Sequence, residues 1–191
     1  MKKRKLLLAL FCLFTIMASA QNGHLKFMGI PLNGSINEFS AKLAAKGIKI
    51  STDSKIFPVG TRSFDGVFMG KKANIYVYYT PSTKIVYRAK ACIEYENEDI
   101  IKSLYNETKS LLSDKYYGFT NTSTHEGYES WHLFLPRYSD DEEMIWYRCY
   151  GEIDLYISKF TDTYPIRYTL HVDYIDQINN DKNDNDKQND L

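Results

Sequence analysis

The stretch ANIYVYYT, residues 73–80, alternates apolar and polar side chains, placing Ala73, Ile75, Val77 and Tyr79 on one side and Asn74, Tyr76 and Tyr78 on the other. Period two over this length is the pattern of a strand with one face in a core. IDLYIS, residues 153–158, matches ANIYVY at an offset of 80, and YTLHVDY, residues 168–174, matches YRAKACI, residues 87–93, at 81. The one-residue difference fits in a turn. In the last strand Ile166, Tyr168, Leu170, Val172 and Tyr174 form the apolar side, opposite Arg167, Thr169, His171 and Asp173.

Each run of strands follows a helix signal. Ser35 with Glu38 makes a capping box. Ile36, Phe39 and Leu43 then recur at helical spacing, and Gly47 suits a left-handed C-terminal position, predicting a helix from about Ile36 to Lys46. A short strand is expected ahead of it at His24 to Met28. Asn97 caps a second helix, with Glu98 and Asp99 in its first turn and an apolar face of Ile101, Leu104, Thr108, Leu111 and Leu112 ending before Gly118. The strands expected after the first helix are KIFPVG, SFDGVFM, ANIYVYYT and IVYRAKACIEY. Those after the second are SWHLFLP, MIWYRCY, IDLYISKF and IRYTLHVDYID, with tight turns at Gly70-Lys71 and Gly151-Glu152.

The fold class is therefore α+β. It is read as a tandem repeat of one helix followed by an antiparallel β-meander, residues 21–96 and 97–176, with the helices on one face of the sheet. Residues 1–20 have a basic start (Lys2, Lys3, Arg4, Lys5), an apolar core from Leu6 to Met17 and an Ala18-Ser19-Ala20 cleavage site, the anatomy of a signal peptide. This predicts export to the periplasm or the exterior, with no transmembrane anchor after cleavage. The tail, residues 177–191, is Asn/Asp/Lys-rich and expected to be disordered.

The whole chain has 24 basic and 24 acidic residues, so loss of the four basic residues in the leader leaves the rest at minus four. That balance excludes the basic footprint of nucleic-acid binding. Cys92 and Cys149 remain beyond the leader. In an exported chain they raise the alternatives of a disulfide or two unrelated thiols.

The side of the sheet away from the helices would display Tyr76, Tyr78, Arg88, Lys90, Trp146, Arg148, Tyr150, Tyr156, Arg167 and His171. Tyr, Trp and Arg are the residues enriched at interface centres. Catalytic patterns are weaker. His24, His125, His132 and His171 form no His-Glu-x-x-His pair and no metal-ligand spacing, so neither cofactor nor metal is implied. GVFMGK, residues 66–71, reads as a hairpin turn rather than a phosphate loop, and SDDEE, residues 139–143, as a solvated loop rather than a calcium site.

The order of helix and meander given twice, over roughly residues 30–176, resembles the family of the beta-lactamase inhibitory protein and its relatives among small outer-membrane assembly lipoproteins. The opening GHLKFMGIPLNGSINEFSAKLAAKG is similar to that of many uncharacterised secreted proteins of the Bacteroidota. The first resemblance implies a concave sheet face that grips a protein through aromatic side chains; it does not extend to the identity of the partner. The expected function is a non-enzymatic binding module for an envelope or extracellular protein. A glycan or small-molecule binder using the same aromatics is the alternative, and an envelope hydrolase the third.

Overall fold

The computed structural model describes residues 23–138, 144–162 and 164–189. The expected leader at 1–20 and the acidic run at 139–143 lie outside them. A short hairpin, β1 (Lys26–Phe27) and β2 (Ile30–Pro31), leads into helix α1 (Ile36–Ala44). After β3 (Lys49–Ile50) and a 3-10 turn at Thr52–Ile56 come β4 (Thr61–Phe68), β5 (Lys71–Tyr79) and β6 (Val86–Tyr95). Helix α2 (Glu98–Lys115) is followed by β7 (Phe119–His125), β8 (Tyr128–Tyr138), β9 (Met144–Phe160), β10 (Arg167–Asp176) and helix α3 (Gln177–Asn189).

Strands β3 to β10 form a single eight-stranded antiparallel sheet in the order β3-β4-β5-β6-β10-β9-β8-β7. The last strand of each run thus lies in the middle of the sheet. One apolar cluster joins Ile36, Phe39 and Leu43 of α1 and Ile101, Leu104 and Leu112 of α2 to Phe64, Ile75, Ala91, Val172 and Leu155 of the sheet. The β1–β2 hairpin adds Phe27, whose ring stacks on Phe68 at 5.5 Å and meets Tyr174 edge-on at 5.4 Å. Among the described residues no helix is long and apolar enough to cross a membrane.

Both helix starts follow their local chemistry. The Ser35 hydroxyl accepts from the Glu38 amide while the Glu38 carboxylate accepts from the Ser35 amide, the reciprocal box that saturates two otherwise orphaned donors. Asn97 accepts from the amides of Asp99 and Ile100. Gly47 takes φ +81° just past α1, a backbone shape an L side chain resists. Met69-Gly70 and Glu126-Gly127 have positive φ at both positions, which matches hairpin turns to the right-handed twist of the flanking strands. GVFMGK is accordingly a hairpin turn between β4 and β5.

Several sequence expectations are corrected. KIFPVG is not a strand: Thr52–Ile56 is a 3-10 turn, and the preceding Lys49–Ile50 pairs with β4 instead. MIWYRCY and IDLYISKF are one continuous strand, β9, so Gly151-Glu152 is no turn. Gly151 sits opposite Asp176, where a Cβ would lie 3.1 Å from the Leu25 side chain, so glycine is there for close packing. The fourth strand of the second run is the polar FTNTSTH segment, β7. Residues 177–191, expected to be disordered, are helical over Gln177–Asn189. Asp176 supplies the missing anchor by accepting from the Leu25 and Asn179 amides at 2.8 and 3.0 Å, and the Asn179 side chain donates to the Leu32 carbonyl at 2.8 Å.

Gly118 follows the last turn of α2, and its place there is set by close approach. Its φ is not positive; a Cβ there would fall 2.3 Å from the Phe134 carbonyl oxygen, because the chain crosses β8 at contact distance as it enters β7. Gly118→Ala is therefore expected to destabilise the fold by about 1–3 kcal/mol, the usual cost of overpacking. Urea denaturation measures this, and an unchanged midpoint would mean that the β7–β8 edge can give way.

Candidate functional site

β10 is a central strand, paired along both of its edges, with β6 on one side and β9 on the other. Leu170 and Val172 face the apolar cluster, and alternation sends Thr169, His171 and Asp173 to the other side. Across the sheet, His171 stands level with Cys92 on β6 and Tyr156 on β9, and Asp173 with Lys90 and Asp154. These register positions put a polar cluster at the middle of the face.

His171 is clamped from three directions. Its Nδ1 is 3.3 Å from the Cys92 Sγ, its Nε2 is 2.9 Å from the Ser158 Oγ, and the Tyr156 ring stacks on it at 4.5 Å and 14°. His125 meets the Tyr156 ring nearly perpendicular at 5.1 Å. Burial pushes the His171 imidazole down to about 3 and the Cys92 thiol up to about 12. Both groups are neutral near pH 7. A thiolate–imidazolium nucleophile needs the opposite shifts.

Asp173, only 1 % exposed, accepts from Arg88 through both the Nε and an Nη nitrogen, with Nε–Oδ1 at 2.9 Å. Burial pushes the carboxyl upward, and the hydrogen bonds and charge of Arg88 oppose that shift. The same carboxylate holds Arg88 firmly protonated. The guanidinium also lies over the Tyr78 ring, 4.8 Å from its centre, so one side chain is fixed by a charge and a π-face together. Tyr76, next along β5, is met edge-on by Phe57 from the segment after the 3-10 turn at 5.3 Å.

A second polar group lies further along the sheet. The His132 Nδ1 is 2.7 Å from Asp154 Oδ1 on the strand opposite, and its Nε2 lies 3.1 Å from the Ser123 Oγ and 3.3 Å from the Ser130 Oγ. Glu152, two residues before Asp154 and so on the same side, accepts from the Gln177 amide at 3.0 Å. Burial, followed by the charge of Asp154, pushes Glu152 up to about 7. One ligand atom from each of His132, Glu152 and Asp154 lies within 4.8 Å of the other two, so these residues could hold a metal ion.

The expected face residues divide accordingly. Tyr76, Tyr78, Arg88, Tyr156 and His171 come together, although His171 is 8 % exposed and serves as a support rather than a contact surface. Arg167 is exposed at the start of β10, 3.8 Å from Glu94, four positions from His171. Tyr150 is half-buried against the apolar cluster. Trp146 and Arg148 have backbones in β9 and side chains outside the described residues. Asp173 neighbours His171 in sequence pattern, but its partner is Arg88. Sequence reasoning missed Ser158 and the His132–Asp154 pair, whose signal, matching alternation in HLF and IDL, becomes a contact only once the register of β8 on β9 is known.

Cys92 and Cys149 are both free thiols, so neither forms a disulfide. Through His171, Cys92 is level with Tyr156, seven positions along β9 from Cys149. At the rise of an extended strand that is roughly 23 Å, far beyond the ~7 Å between Cα atoms that a bridge tolerates.

No protein-family model, curated protein or solved structure matches this chain.

Because Arg88 is the hydrogen-bonded ion-pair partner of the buried Asp173, Arg88→Ala should cost about 3–5 kcal/mol by leaving the carboxylate without its two charge-assisted hydrogen bonds. Lys90→Ala, beside it on β6, should stay within about 0.5 kcal/mol. Equilibrium denaturation of the two variants compares them directly.

Proposed function

We propose that this chain is an exported, non-enzymatic binding module that docks an envelope or extracellular protein on the polar face of its sheet. The observation that carries the proposal is that the large side chains on that face are held in place before any partner arrives. Arg88 is fixed between Asp173 and the Tyr78 ring, Tyr156 lies flat on His171, and Tyr76 rests against Phe57. Contact residues that are already ordered lose little conformational freedom on binding, and aromatic and Arg side chains are the usual anchors of interfaces. The neutral Cys92–His171 pair argues for this over hydrolysis.

The architecture proposed with it is a tandem repeat, each unit a helix followed by a four-stranded meander, with α1 and α2 on one face. Two facts support it. The sheet order 3-4-5-6-10-9-8-7 runs inward from each edge to the last strand of each run, as two like units joined side by side would give. The apolar residues of both helices also enter one cluster with the Ile75 and Leu170 side of the strands. Such an arrangement leaves the Tyr76 and Tyr156 side for a partner. The resemblance to the beta-lactamase inhibitory protein family agrees with this use of the sheet, and the signal-peptide pattern at residues 1–20 supports export.

A photo-crosslinking side chain placed at Tyr76 should capture a discrete protein from the native envelope fraction, and the same probe at the exposed Leu111 of α2 should not. Equal capture at both positions, or none at Tyr76, would count against docking on this face.

A further inference from the structure

The geometry points to a divalent transition-metal site made by His132, Glu152 and Asp154, with Zn²⁺ as the ion it suits best. The three residues come from two neighbouring, directly paired strands. His132 and Asp154 are directly opposed on β8 and β9, and Glu152 is two positions from Asp154 on the same side of β9. Their ligand atoms already lie within 4.8 Å of one another. A tetrahedral ion with bonds of 2.0–2.1 Å needs donors roughly 3.3 Å apart. The His132–Asp154 hydrogen bond at 2.7 Å would open slightly around the ion, and rotation of the long Glu152 side chain would bring its carboxylate in.

The surroundings fit the same use. If the ion takes Nδ1 of His132, the proton moves to Nε2, which has the Ser123 and Ser130 hydroxyls as acceptors at 3.1 and 3.3 Å. This outer contact fixes ring orientation and tautomer, as the second contact of a metal-bound imidazole ordinarily does. Gln177 does the equivalent for Glu152. When both are ionised, two carboxylates side by side also leave a local excess of negative charge. Among the described residues no Lys or Arg forms an ion pair with either, and the nearest buried carboxylate, Asp173, is already matched by Arg88. A dication would offset that excess.

The donor set selects the ion. One imidazole and two carboxylates suit zinc and its neighbours, whereas calcium needs six to eight oxygens, more than three side chains here provide. Three protein ligands leave one tetrahedral position for water or an exogenous donor.

The test uses the purified chain, stripped of metal with a chelator and titrated with Zn²⁺ by calorimetry, with Co²⁺ as the optical probe. One Zn²⁺ should bind per chain. His132→Gln, Asp154→Asn and Glu152→Gln should each weaken binding by about tenfold or more, while His125→Gln leaves it unchanged. Glu152→Gln can keep a hydrogen bond to Gln177, so it remains decisive if the other two variants fold poorly. The inference is overturned by an absence of saturable binding up to about 1 mM, by wild-type affinity in Glu152→Gln, or by a thiolate-to-cobalt charge-transfer band placing the ion on Cys149.

Discussion

The pairing of β6 with β10 is the constraint from which the rest of the structure follows. Eight register positions, from Tyr95 opposite Tyr168 to Arg88 opposite Ile175, join the two runs of strands into one sheet. Each run would otherwise end in a strand with an unsatisfied row of amides and carbonyls. The seam also assembles the polar face. Cys92 meets His171 across it, and so does Arg88 with Asp173. Shifting the register by one residue would turn these side chains into the apolar cluster and bring Leu170 and Val172 out.

Being central has a cost in polar burial. Thr169, His171 and Asp173 are nearly inaccessible although they lie on the side away from the core. Buried polar groups are tolerable when they are paired: His171 and Asp173 find partners between strands in Ser158, Cys92 and Arg88, while the Thr169 hydroxyl has none among the described residues. The result is a polar layer that orders the aromatic and guanidinium groups above it. Its chemistry is quiet: a thiol raised by burial and an imidazole lowered by it do not make a nucleophile and base. The His132–Asp154–Glu152 group differs because its carboxylates are crowded together.

Much of this could be read from local sequence. The caps at Ser35 and Asn97 and the faces of ANIYVYYT depend on residues a few positions apart, and each is found as expected. What failed depends on distant partners. FTNTSTH has no apolar alternation, so β7 is a strand only because β8 offers it a ladder. Gly151 looked like a turn residue until Leu25 packed against it. A tail with almost no apolar residue forms a helix because Asp176 and Asn179 tie it to Leu25 and Leu32. His171 appeared as an exposed member of the face; alternation gives the side of a strand but not how much its neighbours cover.

Pairing along the β6–β10 seam should make the two runs of strands one cooperative sheet. Native-state hydrogen exchange tests it most directly, because amides that open only by global unfolding report the full stability of the fold. The paired amides of Ala89, Ala91, Ile93, Leu170 and Val172 should exchange last and with one common free energy. Exchange of these amides at a lower free energy, with protection surviving separately in β4–β5 and in β8–β9, would contradict this and show two sheets that merely touch.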